Sequence, residues 1–103
     1  MGRFARVVGV GLAHHVTQRG NAKRYILDTD ADRTVYLGLL LEDLKRYRAS
    51  LLGYCLMSNH VHLVIVASEA DSLALTLKDT YDRYAGYWNA KHGSIGHVIQ
   101  PQK

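Results

Sequence analysis

Leu51-Leu52-Gly53-Tyr54-Cys55-Leu56-Met57-Ser58-Asn59-His60-Val61-His62-Leu63-Val64-Ile65-Val66-Ala67 is the stretch that decides the fold. Residues 51–57 are almost unbrokenly apolar, the pattern of a buried central strand. Ser58-Asn59 then supplies a tight turn, because Asn tolerates left-handed backbone geometry. His60 to Ala67 returns as a further strand, so the whole stretch predicts a β-hairpin. Side chains alternate along a strand, which puts His60 and His62 on one face and Val61 on the other. Their Cα atoms would stand about 7 Å apart, near enough for two imidazoles to converge on one metal ion.

Working outward, helical patterns flank the hairpin. From about Ala31 to Arg48, Tyr36, Leu40, Leu44 and Tyr47 recur at helical spacing, and Leu37 and Leu41 widen the apolar stripe. Asp28, Thr29 and Asp30 offer N-caps, and Asp32 adds negative charge near the helix start. From about Ser72 to Lys91, Leu73, Leu77, Tyr84 and Trp88 form a second stripe, flanked by Tyr81 and Tyr87. Upstream, Leu12 to Arg19 reads as the first strand, closed by the turn signal Gly20-Asn21. The predicted order is strand, helix, strand, strand, helix. It suits an α+β fold, a ferredoxin-like antiparallel sheet with both helices packed on one face.

At 103 residues the chain is read as one domain, residues 1–103, with room for a single core. Apolar residues make up 48% and charged residues 21%, which argues for a globular chain and against disorder. The formal charge of +4 favours an anionic partner, though only modestly. Cys55 is the one cysteine, so an internal disulfide and a cysteine-rich zinc site are excluded. No apolar run has the length of a membrane span and the start lacks a secretory h-region, so the expectation is a cytoplasmic protein with no membrane partner.

A His-x-His pair in isolation fits structural histidines as well as it fits a metal site. Two imidazoles leave a site incomplete. Mg²⁺ or Mn²⁺ would need oxygens from a third side chain, a substrate phosphate or water. His14, His15, His92 and His97 lie on other elements, and spacing alone does not bring them in. Tyr81, Tyr84 and Tyr87 share a broad helix face, ordinarily core and polar rim. A phosphate-attacking nucleophile or a base-stacking platform is the sharper reading of such tyrosines. Arg19, Asn21, Lys23 and Arg24 sit in a basic turn that is either a solvated loop or a phosphate clamp.

Three segments together resemble the IS200-like, single-tyrosine HUH transposase family, which includes the REP-associated tyrosine transposases. His15-Val16-Thr17-Gln18-Arg19-Gly20-Asn21 is similar to the family's first strand and turn. Tyr54 to Val64 is similar to its metal-binding hairpin, and it is the most specific of the three. Tyr84-Ala85-Gly86-Tyr87-Trp88-Asn89, with Lys91-His92-Gly93 and Gly96-His97, resembles the helix and glycine-rich turn that follow. The resemblance implies a ferredoxin-like fold and a divalent ion, Mg²⁺ or Mn²⁺, held by His60 and His62. It implies as substrate single-stranded DNA beside a hairpin, cut by a tyrosine that keeps the 5′-phosphate and frees a 3′-hydroxyl. The family's dimers make a second copy of this chain a candidate partner.

The chain departs from that pattern at its end. In the family a further helix carries the nucleophilic tyrosine, with an asparagine or glutamine about one turn later as third metal ligand. No Tyr-x-x-x-Asn follows Gln100, so the expectation is a domain without the tyrosine helix. A decayed transposase remnant, a shortened chain or an upstream tyrosine acting as substitute would each account for it. Tyr84 is the substitute on paper, but Trp88 stands one turn later and cannot ligate a hard cation. The expectation is therefore a transposase-family domain without the family's nucleophile for strand cleavage. A non-catalytic single-stranded nucleic-acid-binding module is the alternative.

Overall fold

The computed structural model describes residues 9–19 and 27–93, and within them the order is β1 (Ala13–Arg19), α1 (Asp30–Arg46), β2 (Ala49–Leu56), β3 (His60–Ala67) and α2 (Ser72–Lys91). The chain is α+β. Its three strands form an antiparallel sheet in the order β1-β3-β2. β3 has the strict alternation a central strand needs when only one face is covered: Val61, Leu63, Ile65 and Ala67 are buried and the residues between them are half-exposed. The buried set joins Val16 of β1, Tyr36, Leu40 and Leu44 of α1, and Leu73, Leu77, Tyr84 and Trp88 of α2 in one core. Both helices therefore lie on the same face of the sheet.

The long apolar run is not the central strand that its composition predicts. β2 pairs only with β3, and among the described residues it forms an edge of the sheet. A register shift between Leu51 and Gly53 breaks its alternation, and Leu52 is 63% exposed. Tyr54 and Met57 are exposed as well. Continuous apolarity measures burial on two faces, and here β3 took the middle position because β1 pairs on its other side. Along α1 the stripe is also narrower than its spacing suggests, since Leu41 is exposed while Tyr36, Leu40 and Leu44 are buried.

Thr29 caps α1. Its hydroxyl accepts from the Asp32 N–H at 3.0 Å, and the Asp32 carboxylate reaches back to the Thr29 N–H, completing a capping box. Replacing Thr29 with alanine removes half of that exchange, and is expected to cost about 1 kcal/mol in urea denaturation with an unchanged m-value. At the other end Arg48 adopts left-handed geometry (φ 60°) and turns the chain into β2.

The two helices are tied by polar contacts across the apolar core. Buried Asp43 accepts from Thr80 Oγ1 and Arg83 Nη1, both at 2.8 Å, and Arg83 also donates to Glu42 at 2.7 Å. Tyr47 donates to the Asp79 carboxylate. These bonds fix α1 against α2 and leave the opposite sheet face uncovered by either helix. No helix among the described residues is long and apolar enough to cross a membrane.

Candidate metal centre

Because Val61 and Leu63 are committed to the core, the pleat of β3 turns His60 and His62 onto the face away from the helices. Antiparallel pairing then decides their neighbours. Arg19 of β1 stands opposite His60 and Thr17 opposite His62, while Cys55 of β2 flanks His62 on the other side. The His60 and His62 rings lie 5.0 Å apart, centroid to centroid, at 72°. His15, one pleat further along β1, stacks on His62 at 5.4 Å with 22° between the planes. Three imidazoles thus form a continuous row on the open sheet face.

Each ligand candidate has a partner at Nδ1. Asn59 Oδ1, in the hairpin turn, accepts from His60 Nδ1–H at 2.7 Å. His62 Nδ1 lies 3.2 Å from Thr17 Oγ1 and 3.3 Å from His15 Nε2. Such contacts are the usual outer support of a metal-binding histidine, which ligates through one nitrogen while the other is hydrogen-bonded. His60 and His62 would offer a divalent ion two imidazole nitrogens. They fit as part of a coordination sphere, since no three His, Cys, Asp or Glu side chains among the described residues form a group that could hold a metal. None of β1, β2 and β3 contains Asp or Glu, so these strands offer a cation no carboxylate. Of the two ions the resemblance implies, that donor set suits Mn²⁺ better than Mg²⁺, whose preference for oxygen is stricter.

Arg19 adds the positive charge. It is exposed at the end of β1, beside His60, and makes no ion pair with another described residue. By contrast Arg33, Arg46, Arg48, Lys78, Arg83 and Lys91 are each engaged with a carboxylate. Asn21, Lys23 and Arg24, the rest of the expected basic turn, lie outside the described residues.

Tyr84 stands elsewhere. It is 3% exposed, in the core between sheet and helices, with its ring edge-on to Tyr36 at 5.6 Å. Burial pushes its phenol well above the ordinary tyrosine value, with a further push from Asp32, so the hydroxyl stays protonated. Tyr84 and His60 do line a common small, solvent-open cleft at the sheet end, together with Arg19, Gln18, Tyr36 and Tyr81. The His62 ring, however, is on the far side of the sheet. Of the residues singled out by sequence, the structure brings His60, His62 and Arg19 to one end of the sheet, and Tyr84, buried on the helix side, meets His60 and Arg19 only as lining of that cleft.

Sequence reasoning passed over His15 and Thr17 as members of the site. They reach His62 through the β1–β3 register, and no spacing along the chain encodes a register between strands separated by the 40 residues from Gly20 to Asn59. The alternation of His15 and Thr17 within β1 was the available signal, because it puts both on one face once β1 is known to neighbour β3. Comparisons with protein-family models, curated proteins and solved structures give no match for this chain.

Proposed function

We propose that this chain is a single-stranded-DNA-binding domain of the single-tyrosine transposase type, built on a ferredoxin-like fold, with its site on the open sheet face. One observation carries the reading: His60, His62 and Arg19 meet at one end of that face, in register across β1 and β3. A guanidinium beside the imidazoles, with no carboxylate on the strands, gives a phosphate a positively charged neighbour and nothing on those strands that repels it. His60 and His62 would hold a divalent ion, Mn²⁺ or Mg²⁺, through Nε2. When bound, such an ion supplies Lewis-acid polarisation of a phosphate oxygen. Arg19 grips the neighbouring phosphate, and Asn59 orients His60.

A second reading, a single-stranded nucleic-acid-binding module without strand cleavage, is favoured by the burial of Tyr84. The two readings share the phosphate-binding face and differ in the nucleophile. A labelled hairpin oligonucleotide with a single-stranded flank, titrated with the protein with and without Mn²⁺, tests the shared part. Binding should tighten with Mn²⁺, exceed binding to a plain duplex, and weaken with salt. Equal affinity for duplex and hairpin, indifferent to Mn²⁺, would sink the proposal. A denaturing gel of the same mixtures separates the two readings, since a covalent protein–DNA band belongs to the first alone.

Arg19→Ala provides a quantitative check. Losing one phosphate contact on single-stranded DNA should lower the slope of log K against log salt by about 0.7, uniformly across DNA sequences. Lys78→Ala, whose ammonium is paired with Asp82 at 2.9 Å on the exposed side of α2, should leave the slope unchanged.

A further inference from the structure

We infer that the His15–His62 ring pair on the open sheet face is a stacking surface for unpaired bases of single-stranded DNA, working beside the phosphate contact at Arg19 and without a metal ion. The inference deepens the proposed function and rests on it for the DNA strand, not for the cation.

Neither helix covers this face, since α1 and α2 pack on the opposite one, over Val16, Val61, Leu63 and Ile65. Pleating leaves His15 and Arg19 of β1 exposed on the open face, with His62 and Val64 of β3 half-exposed beside them. The His15 and His62 rings lie 22° from parallel with centroids 5.4 Å apart. That separation falls within the range of an offset pair, about 4.5–7 Å, so the rings do not eclipse one another and together present more near-parallel ring surface than either alone. Val64, opposite His15 in the β1–β3 register, extends that surface with an apolar side chain. His60 meets His62 at 72° and 5.0 Å, and so stands as a step at the hairpin end of the pair. An open antiparallel sheet with planar side chains on neighbouring strands is a surface on which unpaired bases stack, because each base has a flat, polarisable face that a duplex hides.

Charge decides which planar ligand this surface complements. β1, β2 and β3 contain no Asp or Glu. Arg19 lies on the same face as His15, four residues and about 13 Å along β1. A strand with one base against His15 therefore carries its phosphates toward a guanidinium and meets no carboxylate on the sheet. Stacking uses the faces of the imidazoles, so it is indifferent to which ring nitrogen bears the proton.

His15→Ala and His15→Phe separate a stacking ring from a side chain that is merely exposed. Because His15 is exposed, both variants should keep the wild-type Tm. Affinity for a single-stranded oligonucleotide carrying 2-aminopurine is read in EDTA at about pH 8, where free imidazole is neutral. Alanine should weaken binding about 5–10-fold and lose the quenching of 2-aminopurine fluorescence that stacking produces, whereas phenylalanine should stay within about twofold of wild type and keep the quenching. Neither should change the salt slope that Arg19→Ala lowers, because no phosphate contact is removed. An oligonucleotide of the same length with abasic sites should bind wild type and His15→Ala alike, and both more weakly than wild type binds the intact strand. Unchanged affinity in His15→Ala, equal loss in both variants, or equal binding of intact and abasic strands overturns the inference. Salt-dependent binding in any of those cases leaves the phosphate-binding reading of the proposed function standing. Binding that appears only with Mn²⁺ overturns the inference and supports the cation reading, and no binding under either condition removes both.

Discussion

Asp32→Ala is expected to cost about 3–5 kcal/mol of folding stability, a large share of what a domain of this size possesses. Asp32 has no solvent exposure, and its two oxygens serve four donors. Oδ2 accepts from the backbone N–H of Asp28 and Thr29 at 3.0 and 3.1 Å. Oδ1 accepts from Tyr87 Oη at 2.7 Å and Lys91 Nζ at 2.5 Å. One carboxylate thus closes the start of α1 and ties it to the last turns of α2. Alanine would leave two backbone donors and a phenol without their acceptor, which is the costly way to break a buried network. Thermal denaturation should show a Tm lowered by well over 10 °C, given roughly 4–8 °C per kcal/mol for a domain of about this size. A drop within a few degrees would mean that water replaces the carboxylate at little cost.

The same group gives the fold its acid sensitivity. Burial is the largest single influence on Asp32 and pushes its carboxyl up, but Lys91, Tyr87 and the N–H groups of Thr29 and Asp28 together outweigh it. They hold the carboxyl well below the usual carboxylate range. A folded-state pKa lower than the unfolded one stabilises the protein fully above the unfolded value, about 4, and the contribution disappears as pH falls below it. Stability should therefore decline from about pH 5 downward, and Asp32→Asn should flatten that decline while lowering the plateau at neutral pH. Urea midpoints taken across that range in both proteins would show it. Parallel acid limbs in the two proteins would assign the sensitivity to other carboxylates.

How much of this was legible in the sequence depends on whether the cause lies within one element or between two. His60–Ala67 and Ser72–Lys91 match their expected bounds because period-two and helical patterns are properties of a single segment. Strand order is not such a property. The density of apolar side chains in Leu51–Met57 predicted a central strand, whereas β3 is the centre and Leu52 and Tyr54 face solvent at the edge. The polar core was hidden for the same reason. Asp32 read as a charge at a helix start, yet its strongest partners, Tyr87 and Lys91, come from the far end of α2. Asp43 interrupts the apolar stripe of α1 and is buried only because Thr80 and Arg83 meet it. At the candidate site the His60–His62 pair could be read from alternation alone. Its extension to His15, Thr17 and Arg19 needed the β1–β3 register, which is decided by core packing through Val16 opposite Leu63.

The His60→Ala, His62→Ala double variant is expected to lose Mn²⁺ binding while keeping the fold. Both rings are half-exposed on the face that carries no helix, and their hydrogen bonds go to exposed or local partners, Asn59, Thr17 and His15. Removing them opens no cavity in the core formed by Val61, Leu63 and their neighbours, so metal-free stability should stay within about 0.5 kcal/mol of wild type. The contrast appears when the cation is added. A ligand bound only by the native state at 100 times its Kd stabilises that state by about 2.7 kcal/mol, which raises Tm on the order of 10–20 °C for a chain of this length. Wild-type protein should show that rise with Mn²⁺ and the double variant should show none. Because the donors are imidazoles, Mg²⁺ at equal concentration should raise the wild-type Tm less than Mn²⁺ does. If both proteins respond to Mn²⁺ alike, the ion is bound elsewhere, and His60 and His62 are structural side chains on an open sheet.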